Sequence, residues 1–248
     1  MIENTAVPDL SVVVPCYNEE SVLELTMPPL CEAFRNAGVQ LELILVDNGS
    51  KDRTSEVIDR LIARGLPVIK GVVPVNQGQG LGFVTGLQLC NGRFGGNLCA
   101  DGQVEPEDVL AVYQAAVTAG IPCVAKARRR YRKDSWIRKI VSICYNFGMI
   151  VLFPGIHTLD VNGNPKILPA GAMRQMELSS RDWFLEAEII LKARALHLPI
   201  IEIDVFGQLR QAGKSHVRFS TIVEFVKNII RCRLGLLWRE WKKANVKG

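Results

Sequence analysis

The sequence has no long apolar run, no paired-cysteine motif and few histidines, and each absence removes a class of protein. A membrane-crossing helix needs roughly 18 to 20 consecutive apolar residues. The nearest stretch, residues 140–153, is interrupted by Ser142 and Asn146 and stopped by Pro154. The seven cysteines (Cys16, Cys31, Cys90, Cys99, Cys123, Cys144 and Cys232) are odd in number, and no two have CxxC spacing. That argues against a disulfide framework or a zinc site and for reduced, mostly core thiols. The histidines, His157, His197 and His216, lack metal spacing. The first ten residues, MIENTAVPDL, are polar and acidic, unlike a signal peptide. The expectation is a chain on the cytosolic side without a spanning helix.

What is present is enough for a sizeable core. The chain has 248 residues, 48% hydrophobic and 22% charged, which suits one large domain or two small ones and not a disordered chain. The net charge of +5 fits an anionic ligand or an anionic membrane surface, and matters most where the charge clusters. No repeat or low-complexity segment interrupts it.

Short β-branched runs alternate with helical patterns. LSVVVP (10–15), LELILV (41–46), 67–73, 95–100 and 122–127 read as strands, and 21–37, 54–64, 82–89 and 105–119 as helices. This alternation, with crossovers long enough for parallel pairing, predicts an α/β, Rossmann-like, mostly parallel sheet flanked by helices. Ligands of such sheets sit past the carboxyl ends of the strands. The residues to read are therefore Pro15-Cys16-Tyr17-Asn18-Glu19, Asp47-Asn48-Gly49-Ser50 and Asp101-Gly102-Gln103. Carboxylates at three strand ends suit a divalent ion, a diphosphate and a base or ribose. The same residue types are also ordinary turn formers.

Four segments in series, VVVPCYNEE, LILVDNGSKDRTSEVI, VNQGQGLGFVTGL and NLCADGQVEPEDV, resemble the family 2 glycosyltransferases of GT-A fold. The dolichyl- and polyprenyl-phosphate sugar synthases are the nearest in character, over about residues 10–215. The resemblance implies transfer of a sugar from a UDP- or GDP-sugar to an isoprenoid lipid phosphate at the cytosolic membrane face, with inversion and with Mg²⁺ or Mn²⁺. It implies that Pro15, Tyr17, Asn18 and Glu19 border the nucleotide. Asp47 would contact the base beside Asn48, with Gly49 and Ser50 shaping the turn. Ala100, Asp101 and Gln103 would form the metal and donor element, Asp101 and Gln103 being the ligands. Gly78 and Gly80 fall in the loop that the family writes NxGKG, here with Gln79 in place of the lysine.

Two departures stand out. Asn48 replaces a second acid, and Cys99-Ala100-Asp101 replaces Asp-Ala-Asp. A thiolate suits Mg²⁺ or Mn²⁺ poorly, so Asp101 is expected to carry the ion with the diphosphate, Gln103 and water. Loss of metal dependence and a non-catalytic nucleotide-sugar-binding relative stay open, as does the same donor site with a saccharide or protein acceptor.

The basic run Lys126 to Lys133, followed by Arg138 and Lys139, comes with no recognised nucleic-acid motif, so no nucleic-acid partner is expected. It follows a strand and precedes an apolar stretch, as suits a lipid phosphate. Within the resemblance, Arg128 and Arg138 sit best for the acceptor phosphate, Asp160 to Lys166 resembles the D-x-x-x-x-P-K turn of the acceptor side, and Arg210 to Ser215 resembles the RxxGxS loop over the diphosphate. Arg210 and Lys214 would offset charge on the leaving nucleotide, with Lys214 and Ser215 beside the acceptor phosphate. Of Glu186 and Glu188, Glu186 is favoured to face the site. The expected organisation is a GT-A domain over 1–218, with a donor half of about 8–127 and an acceptor half of about 128–218. A basic amphipathic helix over 219–248 is expected to meet a membrane interface or to pack on the core.

Overall fold

In the computed structural model the described residues are 7–132, 136–207 and 219–246. Among them, seven strands form one sheet in the order β3-β2-β1-β4-β6-β5-β7. These are β1 Leu10–Cys16, β2 Leu41–Asn48, β3 Val68–Val73, β4 Phe94–Asn97, β5 Val124–Arg132, β6 Lys166–Pro169 and β7 Ile200–Gly207. The helices are α1 Leu23–Asn36, α2 Thr54–Ala63, α3 Gln79–Leu87, α4 Pro106–Thr118, α5 Trp136–Leu152, α6 Ala170–Met176, α7 Leu185–Ala195, α8 Phe219–Arg233 and α9 Arg239–Asn245.

The sheet is buried on both faces, which is why its central strands read as continuous apolar runs. Successive residues of a strand point to opposite faces. Leu10, Val12 and Val14 of β1 join Leu41, Leu43 and Leu45 of β2 against Leu30 and Phe34 of α1, Leu61 of α2 and Val112 of α4. Val13 and Val46 face the other way, onto Phe83 of α3 and Leu185 and Ile189 of α7. Each fully buried side chain of this size contributes about 1.5–3 kcal/mol relative to exposure.

The sheet is mostly parallel, as the alternation predicts. The exception is β6, antiparallel to both β4 and β5. It enters the sheet with Lys166 opposite Asn97, the last residue of β4. The chain before β6 therefore arrives at the same edge as the carboxyl ends of the parallel strands. On the other side, β1 lies between β2 and β4. The connections leave β1 in one direction through β2 to β3 and later return to its opposite flank as β4, so the topological switch point, where such sheets form their ligand crevice, lies between β1 and β4.

Three segments differ from the sequence expectation. The fourth strand ends at Asn97, and Leu98, whose N–H still donates to the Val13 carbonyl at 3.0 Å, begins the turn that leads to Asp101. The fifth strand runs on through the arginines to Arg132, with a register irregularity between Arg129 and Tyr131. It does so because β7 offers Glu202 and Asp204 opposite Lys126 and Arg128, so the charge is neutralised within the ladder.

The third difference is at the C-terminal end. The single amphipathic helix expected from Phe219 to Trp241 is two helices, separated where Gly235 (φ +70°) and Trp238 (φ +57°) take left-handed backbone. Two faces result. Ile229, Cys232 and Trp241 are buried, whereas Val226, Ile230 and Leu234 are exposed.

Candidate active site

The ends of β1 and β2 are stitched together by their own turn residues. Asn18, with φ +55°, accepts the Lys51 N–H through its side-chain oxygen at 2.8 Å, and its own N–H donates to Ser50 Oγ at 3.2 Å. The Ser50 N–H donates to Asp47 Oδ1 at 3.0 Å, and the Glu19 N–H donates to Thr54 Oγ1 at 2.9 Å. Thus the polar residues after each strand do serve as turn formers, and in doing so they bring Glu19, Asp47 and Asp52 together around Cys16. Burial first, and then the charges of these three carboxylates, push the Cys16 thiol far up.

The glycine loop closes over this end. Gly49 has φ +72°, and a Cβ there would lie 2.5 Å from the Asn76 amide nitrogen. Only glycine allows this backbone conformation and approach together. Asn48, where the family often has an acid, donates through Nδ2 to the Gly78 carbonyl at 2.9 Å. An acid at that position has no proton to donate near neutral pH, so Asn48 suits the bond made here. Its Oδ1 is buried without a hydrogen-bond partner. From the same loop Gln79 donates toward the Cys99 sulfur at 3.7 Å. Gln79, in place of the lysine of the family's loop, and Cys99, in place of its first aspartate, therefore face each other.

Asp101 follows in a turn closed by the Gln103 N–H donating to its Oδ1 at 3.2 Å, with Gly102 at φ +66°. Ala100 is buried and Pro15 half-buried. Burial, reinforced by the charges of Asp101 and Glu186, holds the Cys99 thiol well above its ordinary range. Without a bound cation it stays a protonated thiol near neutral pH. Among the described residues, no group of three or more His, Cys, Asp and Glu side chains is arranged to hold a metal ion. One carboxylate with a neighbouring amide still fits Mg²⁺, which commonly takes one or two protein carboxylates and completes its shell with substrate phosphates and water. The fit is to a cation that arrives with a diphosphate.

On the far side of the crevice lies a buried polar network that sequence patterns do not reveal. Glu186 is not solvent-exposed. It accepts from Asn97 Nδ2 at 2.8 Å and Asn164 Nδ2 at 3.0 Å and pairs with the ammonium of Lys166. Arg129 is bonded to Asp160 through Nε at 2.9 Å and Nη2 at 2.8 Å. Burial alone would raise the Asp160 carboxyl, but the Arg129 hydrogen bonds and charge hold it well below the usual range. Lys126, fully buried, donates to the Asp160 carbonyl at 2.7 Å and to Glu202, and its pKa falls to about 8 through burial and the nearby Lys166. The Oδ1 atoms of Asn162 and Asn164 are buried without a hydrogen-bond partner.

Of the residues expected at an acceptor phosphate, Arg128 is engaged by Asp204 and by Glu202 across β5 and β7, so a phosphate there would compete with two carboxylates. Arg138 falls in α5, and its side chain lies outside the described residues, as do Arg210, Lys214 and Ser215. The sequence reading missed Arg129, Lys126 and Lys166 as one assembly. Their only signal was basic residues at positions that strand alternation would make interior.

Comparison with known proteins bears on the family and the fold. The model of the family described as glycosyl transferase family 2 matches residues 11–165. Undecaprenyl-phosphate 4-deoxy-4-formamido-L-arabinose transferase of Aeromonas hydrophila is 27% identical over 241 residues, covering 93% of this chain and 69% of the relative. The protein of the same description from Photorhabdus laumondii is 30% identical over 235 residues, covering 90% and 67%. Among solved structures, glucosyl-3-phosphoglycerate synthase of Mycobacterium tuberculosis, crystallised with Mg²⁺ and UDP, superimposes with a TM-score of 0.69 at 20% identity, over 92% of this chain and 80% of that one.

Proposed function

The chain belongs to glycosyl transferase family 2, and we propose that it moves a sugar from a UDP- or GDP-sugar to a polyprenyl phosphate at a membrane surface. The observation that carries this is the crevice above β1 and β4. There the Asp47 and Asp101 turns and the glycine loop converge, in a chain whose relatives are named for transfer to undecaprenyl phosphate. The donor half runs to about residue 127 and the acceptor half from about 128 to 218.

In this reading Asp47, Asn48 and the stitched turns hold the nucleoside, while Gly78 and Gly80 let backbone approach the donor. Asp101, with Gln103, would hold Mg²⁺ or Mn²⁺, which when bound would supply positive charge to offset that of the departing diphosphate. The acceptor phosphate oxygen attacks the anomeric carbon in line. The bond from that carbon to the diphosphate oxygen breaks, and its electron pair leaves with the nucleotide. A phosphate is already anionic near neutral pH, so the protein contributes positioning and fixed charge more than a general base. Arg210 and Lys214 are assigned to the leaving diphosphate, and Arg128, Arg138, Lys214 and Ser215 to the acceptor side. The unpaired carbonyl oxygens of Asn162 and Asn164 suit hydroxyl donors, the groups a sugar presents.

Two exposed apolar stripes support the membrane surface. Ile143, Phe147 and Val151 recur at four-residue spacing on α5, and Val226 and Ile230 of α8 continue at the same spacing to Leu234 just past its end. Both helices bury another face in one shared cluster, through Met149 of α5 with Phe153 just past its end, and Ile229 and Cys232 of α8. Lys227, Arg231 and Arg233 are exposed beside the second stripe, as suits an anionic lipid surface. Among the described residues, no helix is long and apolar enough to cross a membrane.

The test is radiolabelled transfer. Purified protein is incubated with membranes containing polyprenyl phosphate and a panel of UDP- and GDP-sugars, with Mg²⁺, Mn²⁺ or chelator. An organic-soluble, chelator-sensitive product is expected. Nucleotide binding without lipid product from any donor would overturn the assignment of acceptor.

A further inference from the structure

Behind the glycine loop runs a line of contacts that sugar transfer by itself does not require. Lys192 of α7 is buried, with its ammonium 5.1 Å from the ring centre of Trp238 and 4.8 Å from that of Trp241. Both tryptophans belong to the C-terminal segment. Trp241 is itself anchored by its indole N–H to the Gln175 carbonyl at 2.9 Å, and Trp238 stacks on Phe184. The ammonium of Lys192 pairs with Glu188 at 2.7 Å and donates to the Glu177 carbonyl at 3.0 Å.

Glu188 in turn holds the next loop. Its carboxylate accepts the Ser179 N–H at 3.1 Å and the Ser180 N–H at 2.8 Å. That loop then meets the glycine loop backbone to backbone. The Leu81 N–H donates to the Arg181 carbonyl at 2.9 Å. A Cβ on Gly78 would lie 2.5 Å from the Arg181 carbonyl oxygen, and one on Gly80 would lie 2.3 Å from that of Ser180. From α8, Asn228 adds a hydrogen bond to Asp182 at 2.8 Å. The far end of the line is the pair of contacts that fix the donor side, Asn48 to Gly78 and Gln79 to Cys99.

We propose that Glu188 and Lys192 are positioning residues for the glycine loop, and that Trp238 and Trp241 set them. Donor affinity would then depend on the C-terminal segment. The proposal rests on the reading of the crevice as a nucleotide site for its ligand, but not for the line of contacts itself. The carboxylate of Glu188 satisfies two backbone donors only where Lys192 holds it, and Lys192 is held by two ring faces whose charge attraction strengthens away from water. A shift at the tryptophans moves the carbonyls against which Gly78 and Gly80 are seated with no room to spare.

The experiment compares wild-type protein with Trp238→Leu, Trp241→Leu and the corresponding Phe variants. Two quantities are read: calorimetric affinity for UDP and for GDP with Mg²⁺, and amide hydrogen exchange over residues 77–82, with residues 41–48 as internal reference. The Leu variants are expected to bind nucleotide about three- to tenfold more weakly, the range a lost cation–π contact supplies. They should also exchange faster over 77–82 alone, and Phe should restore most of both. Leu variants that melt earlier but keep wild-type affinity and wild-type exchange over 77–82 would overturn the proposal.

Should a Leu variant fail to fold, Lys192→Arg takes its place. It keeps the charge, but its planar head cannot reproduce the single short contact to Glu188 together with the carbonyl bond. The same faster exchange is expected of it, and wild-type exchange would count against the proposal. Wild-type protein that binds neither nucleotide would overturn the reading of the crevice, while the exchange comparison would still decide the line of contacts.

Discussion

Arg129 grips Asp160 with two guanidinium nitrogens, at 2.9 and 2.8 Å, and its own backbone N–H donates to the same carboxylate at 3.1 Å. The pair joins β5 to the turn that leads into β6. Its energy is one-sided: breaking a buried pair leaves a charge without compensation, which costs more than the intact pair contributes.

Asp160→Asn is therefore expected to destabilise the fold by about 3–5 kcal/mol at neutral pH. The pH dependence has a definite sign. The folded Asp160 carboxyl lies below its unfolded value, so its contribution is fully present above the unfolded pKa of about 3.9 and is lost as pH falls through the folded value. Denaturant melts between neutral pH and strong acid should show wild type losing that increment and Asp160→Asn lacking it. Parallel curves for the two proteins would refute the assignment.

Asp101→Asn removes the one carboxylate offered to a cation but keeps the side-chain oxygen that accepts the Gln103 N–H. Transfer should fall by about a hundredfold or more, the scale of losing one group that stabilises transition-state charge. The melting temperature without nucleotide should hardly move. Unchanged turnover would sink the metal-site assignment.

Cys99 is protonated near neutral pH because burial and the charges of Asp101 and Glu186 oppose a thiolate. Iodoacetamide at pH 8 should modify the exposed Cys144 well before Cys99, read by peptide mass spectrometry. Replacing Cys99 by Asp places a second carboxylate in that field. Without metal the variant should melt lower, by roughly 2–4 °C for each kcal/mol of repulsion. Added Mn²⁺ with nucleotide should recover the loss, and a variant indifferent to Mn²⁺ would argue against a cation at this position.

Two glycines of different surroundings test the glycine loop. Gly80→Ala drives a Cβ against the Ser180 carbonyl at 2.3 Å, whereas Gly171, in α6, has nothing within 4 Å of a new Cβ. The first should cost about 1–3 kcal/mol and weaken nucleotide binding. The second should be neutral or stabilise by up to about 1 kcal/mol through helix propensity. Equal melting temperatures for the two variants would contradict the close approach.

Much of the donor side was legible from local chemistry. A buried parallel strand announces itself by an unbroken β-branched run, and the residue after it is a turn former by its own hydrogen bonding. So Asp47, Gly49, Ser50 and Asp101 could be placed from spacing alone. That Asn48 and Cys99 stand in place of acids came only from the family pattern that these segments resemble.

Tertiary structure decided the rest, because the reasons lie in residues far apart in sequence. The arginine run became the end of β5 once β7 brought Glu202 and Asp204 opposite it. Glu186 and Glu188, two residues apart on one helix, are both buried because Lys166 comes from β6 and Lys192 from the next turn of α7. The C-terminal amphipathic period reads as one helix over its whole length. It breaks at Gly235 and Trp238, and in the folded chain Trp238 and Trp241 lie against Lys192. The sequence by itself placed five of the seven strands of the described residues and the turn residues that end the first two, because those preferences are local. Which charges are buried, and with what partner, only the fold could decide, since a buried charge is tolerated only where a partner from elsewhere in the chain meets it.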